Sequence, residues 1–243
     1  MIKVVNITSN NFITIFTDAI TLYEMSLEAS NINHKNTLAK SSILSTNYAL
    51  EAAANSFLAT IRLDEAELKT KDRLPTLDKF DFVLQSHQDR IIPRGDKICQ
   101  DIRMLIRNRD EMVHPKVTSE ITTVETTAGD TKISYFHNEI KVPSKIQKKQ
   151  TKLLDSHFST FTHADAKQAL NIFTAFLNAY VLDWWQLGKS TSAFFLLRSW
   201  DGSINSEPYM MEFHEIDLLD KYTDELNIQF IDISSFVKQR QHL

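Results

Sequence analysis

The chain has 243 residues, 42% of them hydrophobic, which is enough for one large core but tight for two enzymatic domains. Four glycines and five prolines leave little for tight turns or Gly-rich phosphate loops, so long helices are expected, and neither a GxGxxG nor a P-loop pattern occurs. A net charge of −4 provides no global attraction for nucleic acid, so any such binding must rest on a local patch. The single cysteine, Cys99, excludes an intramolecular disulfide and a Cys-rich zinc site, and it fits a reducing, cytoplasmic compartment.

The first sixteen residues, "MIKVVNITSNNFITIF", interrupt every apolar run with Asn or Thr and make a poor signal peptide. From Asn11 to about Ser30, Phe12, Ile15, Phe16, Ala19, Ile20, Tyr23 and Leu27 recur at helical spacing. A second, longer helix is predicted from about Asn36, burying Ile43, Leu44, Ala49, Leu50, Ala53 and Phe57, with Ala52 to Ala54 permitting close helix approach. Pro75 follows a charged run and precedes a shorter helical segment, "LDKFDFVLQSH"; Pro93 and Gly95 then punctuate the chain again. The next helix starts near Asp96, has Ile98, Ile102, Leu105 and Ile106 as its apolar seam, and stops where Pro115 disfavours helical backbone at His114.

Beyond it, Thr and Val enrichment, rough alternation and the Gly129-Asp130 pair predict a β-hairpin inserted at about 116–143, followed by a basic cluster from Lys145 to Lys152 that reads as a solvated face. Residues 163 to 187 predict a helix with a wide apolar face, formed by Leu170, Phe173, Leu177, Tyr180, Val181, Trp184 and Trp185. Its polar Asn171, Asn178 and Asp183 are too closely spaced for a lipid-facing span, so no membrane segment is expected. After Gly188, "SAFFLLRSWDGS", "LLDKYTDEL" and "NIQFIDIS" suggest a strand, a short helix and a second strand. The expected organisation is mainly α: a helical bundle over 1–188 carrying the hairpin, and a small α/β C-terminal extension over 189–243.

The chemistry-bearing stretch is "RNRDEMVHPK", residues 107–116. Cations in a last helical turn are ordinary complements to the macrodipole, and capping is the simplest account of Arg107, Arg109 and His114. Three cations within eight residues nevertheless repel one another unless an anion or Asp110 compensates. The remaining histidines lack H-x-x-x-H spacing, so no metal site is expected. Trp184, Trp185, Trp200 and Tyr180 read as core or interface rather than as base-stacking platforms, and no G-x-S-x-G elbow supports a serine hydrolase.

"RDEMVHP" resembles the signature of the HEPN superfamily, helical domains in which an Arg is followed directly by a polar residue and then, in an Rx4–6H pattern, by a His; Arg109, Asp110 and His114 fit its shorter spacing. Placement is similar too, with the motif ending a late bundle helix before a further long one. An early acidic residue among small ones is also usual, and Glu51 in "NYALEAAANSF" looks like it. The resemblance covers roughly residues 36 to 187. It implies an up-and-down HEPN-like bundle and a metal-independent endoribonuclease of a stress or phage-defence type, needing no cofactor. Two protomers would pair their motifs in one cleft, so the expected partners are RNA and a second copy of the chain. Arg109, His114 and Asp110 are then the catalytic candidates, with Arg107, Asn108 and Lys116 as RNA-binding neighbours.

Two features depart from the pattern. Asp110 stands where the family often has Asn, which puts an anion beside a phosphate site unless it orients His114 or Arg109. On an α-helix Arg107, seven positions before His114, lies only about 20° off its face, whereas Arg109 lies about 140° off unless the last turn unwinds. Helix geometry thus favours Arg107 and the family pattern Arg109, which is ranked first. The alternative from another class is a non-catalytic interaction module bound to a regulatory protein partner, with the motif reduced to a helix cap.

Overall fold

The computed structural model describes residues 4, 7–115, 117, 161–200 and 209–240. The predicted hairpin at about 116–143 and the basic cluster at 145–152 lie outside the described residues. Within them the chain is mainly helical: α1 (Phe12–Glu28), α2 (Ile32–Leu58), α3 (Glu65–Lys71), α4 (Thr76–Gln88), α5 (Lys97–Val113), α6 (His163–Asn178), α7 (Lys189–Leu196), α8 (Phe213–Tyr222) and α9 (Ile233–Arg240). Three short strands, β1 (Ile7–Thr8), β2 (Arg198–Trp200) and β3 (Tyr209–Met210), form one antiparallel sheet in the order β1-β2-β3. No helix among the described residues is long and apolar enough to cross a membrane.

α1 and α2 form a tight antiparallel hairpin at the centre. The Ser42 hydroxyl donates to the Ala19 carbonyl at 2.7 Å, and the small residues Ala39, Ala49, Ala53 and Ala54 are buried along α2. α2 begins a turn earlier than Asn36, because the Asn31 side chain accepts from the Asn33 and His34 amides and caps the helix. The charged run before Pro75 holds a helix that periodicity alone did not reveal. This is α3, which buries no residue and is closed by a reciprocal capping box between Asp64 and Glu67.

α6 continues through a wide π turn at Ala179–Trp184, so the helix predicted over 163–187 is one α-helix plus a π segment. The extra residue in that turn lets consecutive tryptophans both reach the core. Trp184 packs edge-on to Phe176 and Tyr180, while Trp185 meets Phe57 and Tyr180 and stacks on His87. The Tyr180 hydroxyl, fully buried, donates to the Phe80 carbonyl at 3.0 Å and ties this segment to α4.

The C-terminal elements differ from expectation in two places. In "SAFFLLRSW" the first half is α7, and only residues 198–200 are a strand, which β1 pairs through Ile7 opposite Trp200. "NIQFIDIS" is not a strand. It buries Ile228 and Phe230 in alternation, as a strand would, but among the described residues no neighbouring strand supplies its hydrogen bonds. The Asn178 side chain stands in, donating to the Asn227 carbonyl at 2.7 Å and accepting from the Gln229 amide at 3.0 Å, while the Thr174 hydroxyl donates to the Leu226 carbonyl. The short helix predicted here is present as α8, a few residues earlier.

Residues beyond Gly188 share the central core. Phe230 meets Phe12 and Phe16 at ring centroid distances of 6.0 and 6.1 Å, and both of these meet Phe173 of α6. Phe230→Ala should therefore destabilise the whole protein by about 3–5 kcal/mol in one cooperative urea transition. A separate, weaker transition would show instead that the C-terminal segment folds apart.

Cys99 is fully buried on α5, and burial, reinforced by Asp96 and Asp81, pushes its thiol up to about 11. Because the thiolate is the reactive form, native protein at pH 8 should react with iodoacetamide about a hundredfold more slowly than protein in denaturant. Equal rates would contradict this burial.

Candidate functional site

α5 carries its charged residues on different faces. The helix remains α-helical to Val113; His114 leaves it at φ −122°, ψ 61° while its amide donates to the Asp110 carbonyl at 2.9 Å. There is no unwinding ahead of His114, and Arg107 and Arg109 diverge as helical geometry requires. Arg107 is exposed, with Nε 3.3 Å from Glu111 Oε1 one turn on. Arg109 is turned inward, its side chain only 26% exposed. Asn108 is half-buried between them and His114 is exposed. Lys116 lies outside the described residues.

Arg109 and Asp110 line a cleft of about 450 Å³ between α5, the turn into α4 and the middle of α2. Arg103 and Ile106 extend the α5 wall, Leu74 to Asp78 form the opposite one, and Glu51 and Arg94 complete it. His114 is not among the lining residues, so a single chain does not unite Arg109 and His114 in this cavity. Glu51, from the long early helix, and Arg109 do meet there.

The far wall is held by an ion pair between a buried lysine and a half-buried glutamate. Lys79 is 2% exposed, and its ammonium donates to Glu51 Oε1 at 2.5 Å and to Asn55 Oδ1 at 2.7 Å, while the Thr76 hydroxyl donates to the other Glu51 oxygen. Glu51 is thereby neutralised and fixed. Arg94 is likewise committed, donating through Nε to Asp81 at 2.9 Å and also binding Asp78, and these contacts hold its guanidinium more basic than usual.

The α5 wall is different. Arg103 is exposed and makes no ion pair among the described residues. Arg109 Nε lies 2.8 Å from Asp110 Oδ1, close enough for Coulombic attraction but off the N–H direction, so this buried donor makes no hydrogen bond. An unsatisfied buried donor is costly, and an anion entering the cleft would satisfy it. Asp110 therefore competes with any anionic ligand for Arg109.

Arg103, Arg94 and Lys79 were not singled out from the sequence. Arg103 has a readable signal, since residues 103, 106 and 110 recur at three- and four-residue spacing and share one helix face. Lys79 sits in an apolar segment where a solvent-facing lysine is the ordinary reading, and Arg94 belongs to a loop. Among the described residues, no three His, Cys, Asp or Glu side chains gather as a metal site.

At fixed ionic strength, rising phosphate should raise the melting temperature of the wild type and of Arg107→Ala alike, and raise that of Arg109→Ala less, because Arg109 presents a buried unsatisfied donor to the cleft and its loss leaves Arg103 alone on that wall. Equal shifts for all three proteins would make Arg109 an ordinary helix-end cation. No family model, curated protein or solved structure matches the chain.

Proposed function

We propose that the protein is a HEPN-like, metal-independent endoribonuclease, acting as a homodimer on RNA through Arg109 and His114. The observation that carries this reading is that Glu51 of the early helix and Arg109 of the "RDEMVHP" helix line one cleft, as a shared origin with that family would lead one to expect. Arg109 offers a planar guanidinium to a phosphate whose charge grows as the bond to the leaving oxygen lengthens. His114, exposed at a helix C-terminus, takes the proton from the ribose 2′-OH as that oxygen attacks the adjacent phosphorus, then returns a proton to the departing 5′-oxygen. The products are a 2′,3′-cyclic phosphate and a 5′-hydroxyl. Since His114 stands outside the cleft of its own chain, the reading assigns it to the cleft of a second protomer.

The test is cleavage of single-stranded RNA in EDTA. His114→Ala should lose about 10²–10⁴-fold in rate, and cyclic-phosphate ends should appear only with the wild type. Mixing Arg109→Ala with His114→Ala should restore part of the activity, because a mixed dimer holds one intact Arg–His pair. Equal cleavage by wild type and His114→Ala would overturn the assignment, and absence of recovery on mixing would overturn its distribution across the dimer.

A second reading, a non-catalytic module that binds a protein partner, is favoured by Asp110 contacting Arg109 and by His114 lying away from the cleft. It predicts no RNA binding even at low salt, where phosphate contacts are strongest.

A further inference from the structure

A second groove of about 500 Å³ adjoins the arginine cleft and shares Glu51 with it. One wall is a stripe of α2 carrying Tyr48, Ala52 and Asn55 at helical spacing and continued by Ala59 at its C-cap; the other is α7 with Phe194 and Phe195, and the start of α1 closes the end. We propose that this groove receives an unpaired nucleobase of single-stranded RNA whose phosphate lies in the arginine cleft, with Tyr48 and Phe194 as its stacking surfaces. The inference rests on the RNA reading above and supplies the recognition element that reading lacks.

Three observations support it. Tyr48 and Phe194 leave 49% and 47% of their surface exposed, whereas Phe12, Phe16, Phe57, Phe80, Phe173 and Phe176 are fully buried. The Phe194 ring is braced: it meets Phe195 edge-on at 5.9 Å, and Phe195 stacks on the buried Trp185 at an interplanar angle of 18°. An aromatic platform held rigidly at a surface loses little entropy when a base stacks on it, and stacking suits every base. The small Ala52 and Ala59 leave room between the walls.

The polar groups fit as well. Asn55 Oδ1 accepts from Lys79, so the amide can only be oriented with Nδ2 free, and its two donors make no hydrogen bond among the described residues. They can serve a carbonyl or ring-nitrogen acceptor of a base. Among the described residues no Lys or Arg lines this groove, and the one carboxylate there, Glu51, is already held by Lys79 and Thr76. A neutral groove beside an arginine-walled cleft matches the division within a nucleotide between an uncharged base and an anionic phosphate.

The experiment uses the full chain and a fluorescent 2′-O-methyl oligonucleotide, which lacks the attacking hydroxyl and cannot be cleaved, together with the same oligonucleotide made abasic. By anisotropy at low salt, the wild type should bind the base-containing strand about tenfold more tightly than the abasic one. Tyr48→Ala and Phe194→Ala, both at exposed helical positions, should erase that difference while keeping the wild-type melting temperature. Arg109→Ala should weaken both strands equally. Equal binding of the two strands by the wild type, or an undiminished difference in both aromatic variants, would overturn the base groove and leave the nuclease reading standing. Cleavage unaffected by His114→Ala alongside an intact base preference would overturn the nuclease reading alone.

Discussion

A single buried ammonium organises the functional side of this protein. Lys79 is almost wholly removed from water, and its desolvation is offset by Glu51 and Asn55 of α2, which meet it directly, and by Asp72 at 3.6 Å. That contact holds α4 against α2, fixes the carboxylate that forms the boundary between the two cavities, and sets the orientation of the Asn55 amide. Without it Glu51 would be a mobile anion facing Arg109. With it, the cleft retains its unspent donors on the α5 wall, where Arg103 makes no ion pair among the described residues and Arg109 has a buried N–H without an acceptor.

The central helices were legible because their information is periodic. Phe12, Phe16 and Ile20 on α1, Ile43, Leu50 and Phe57 on α2, and Ile102 and Leu105 on α5 repeat at the spacing of a buried face, and each is in the core. Where the deciding interaction is a polar side chain from elsewhere in the chain, periodicity misleads. Alternation in 227–230 is real, but Asn178 replaces the partner strand, and nothing local distinguishes the two cases. β1 is two residues long and exists only because β2, nearly two hundred positions away, pairs with it.

The site was legible in part for the same reason. "RDEMVHP" correctly marks a helix end, and the divergence of Arg107 and Arg109 by helical rotation follows from their numbers alone. Which of them faces a cavity depends on the packing of α5 against neighbouring helices, and Arg109 is the one turned inward. That Glu51 shares its cleft depends on Lys79, whose burial no run of neighbours announces. Trp184 and Trp185 read as core and pack into or against it, whereas Tyr48 and Phe194, with equally ordinary surroundings in sequence, are among the aromatics left at the surface.

The Phe12, Phe16 and Phe230 cluster also joins the two ends of the chain in time. The first two rings leave the ribosome more than two hundred residues ahead of the third, and at about 5–20 residues per second the interval is roughly 10–40 s. Throughout it, the α1–α2 hairpin can form from local contacts, but the face of α1 that carries these rings waits first for Phe173 of α6 and then for Phe230 to cover it. The closing contacts are among the longest-range in the chain, so the final assembly step is slow relative to helix formation. Until Phe230 arrives the nascent chain presents two incompletely covered phenylalanines to whatever chaperone or neighbouring chain is close by.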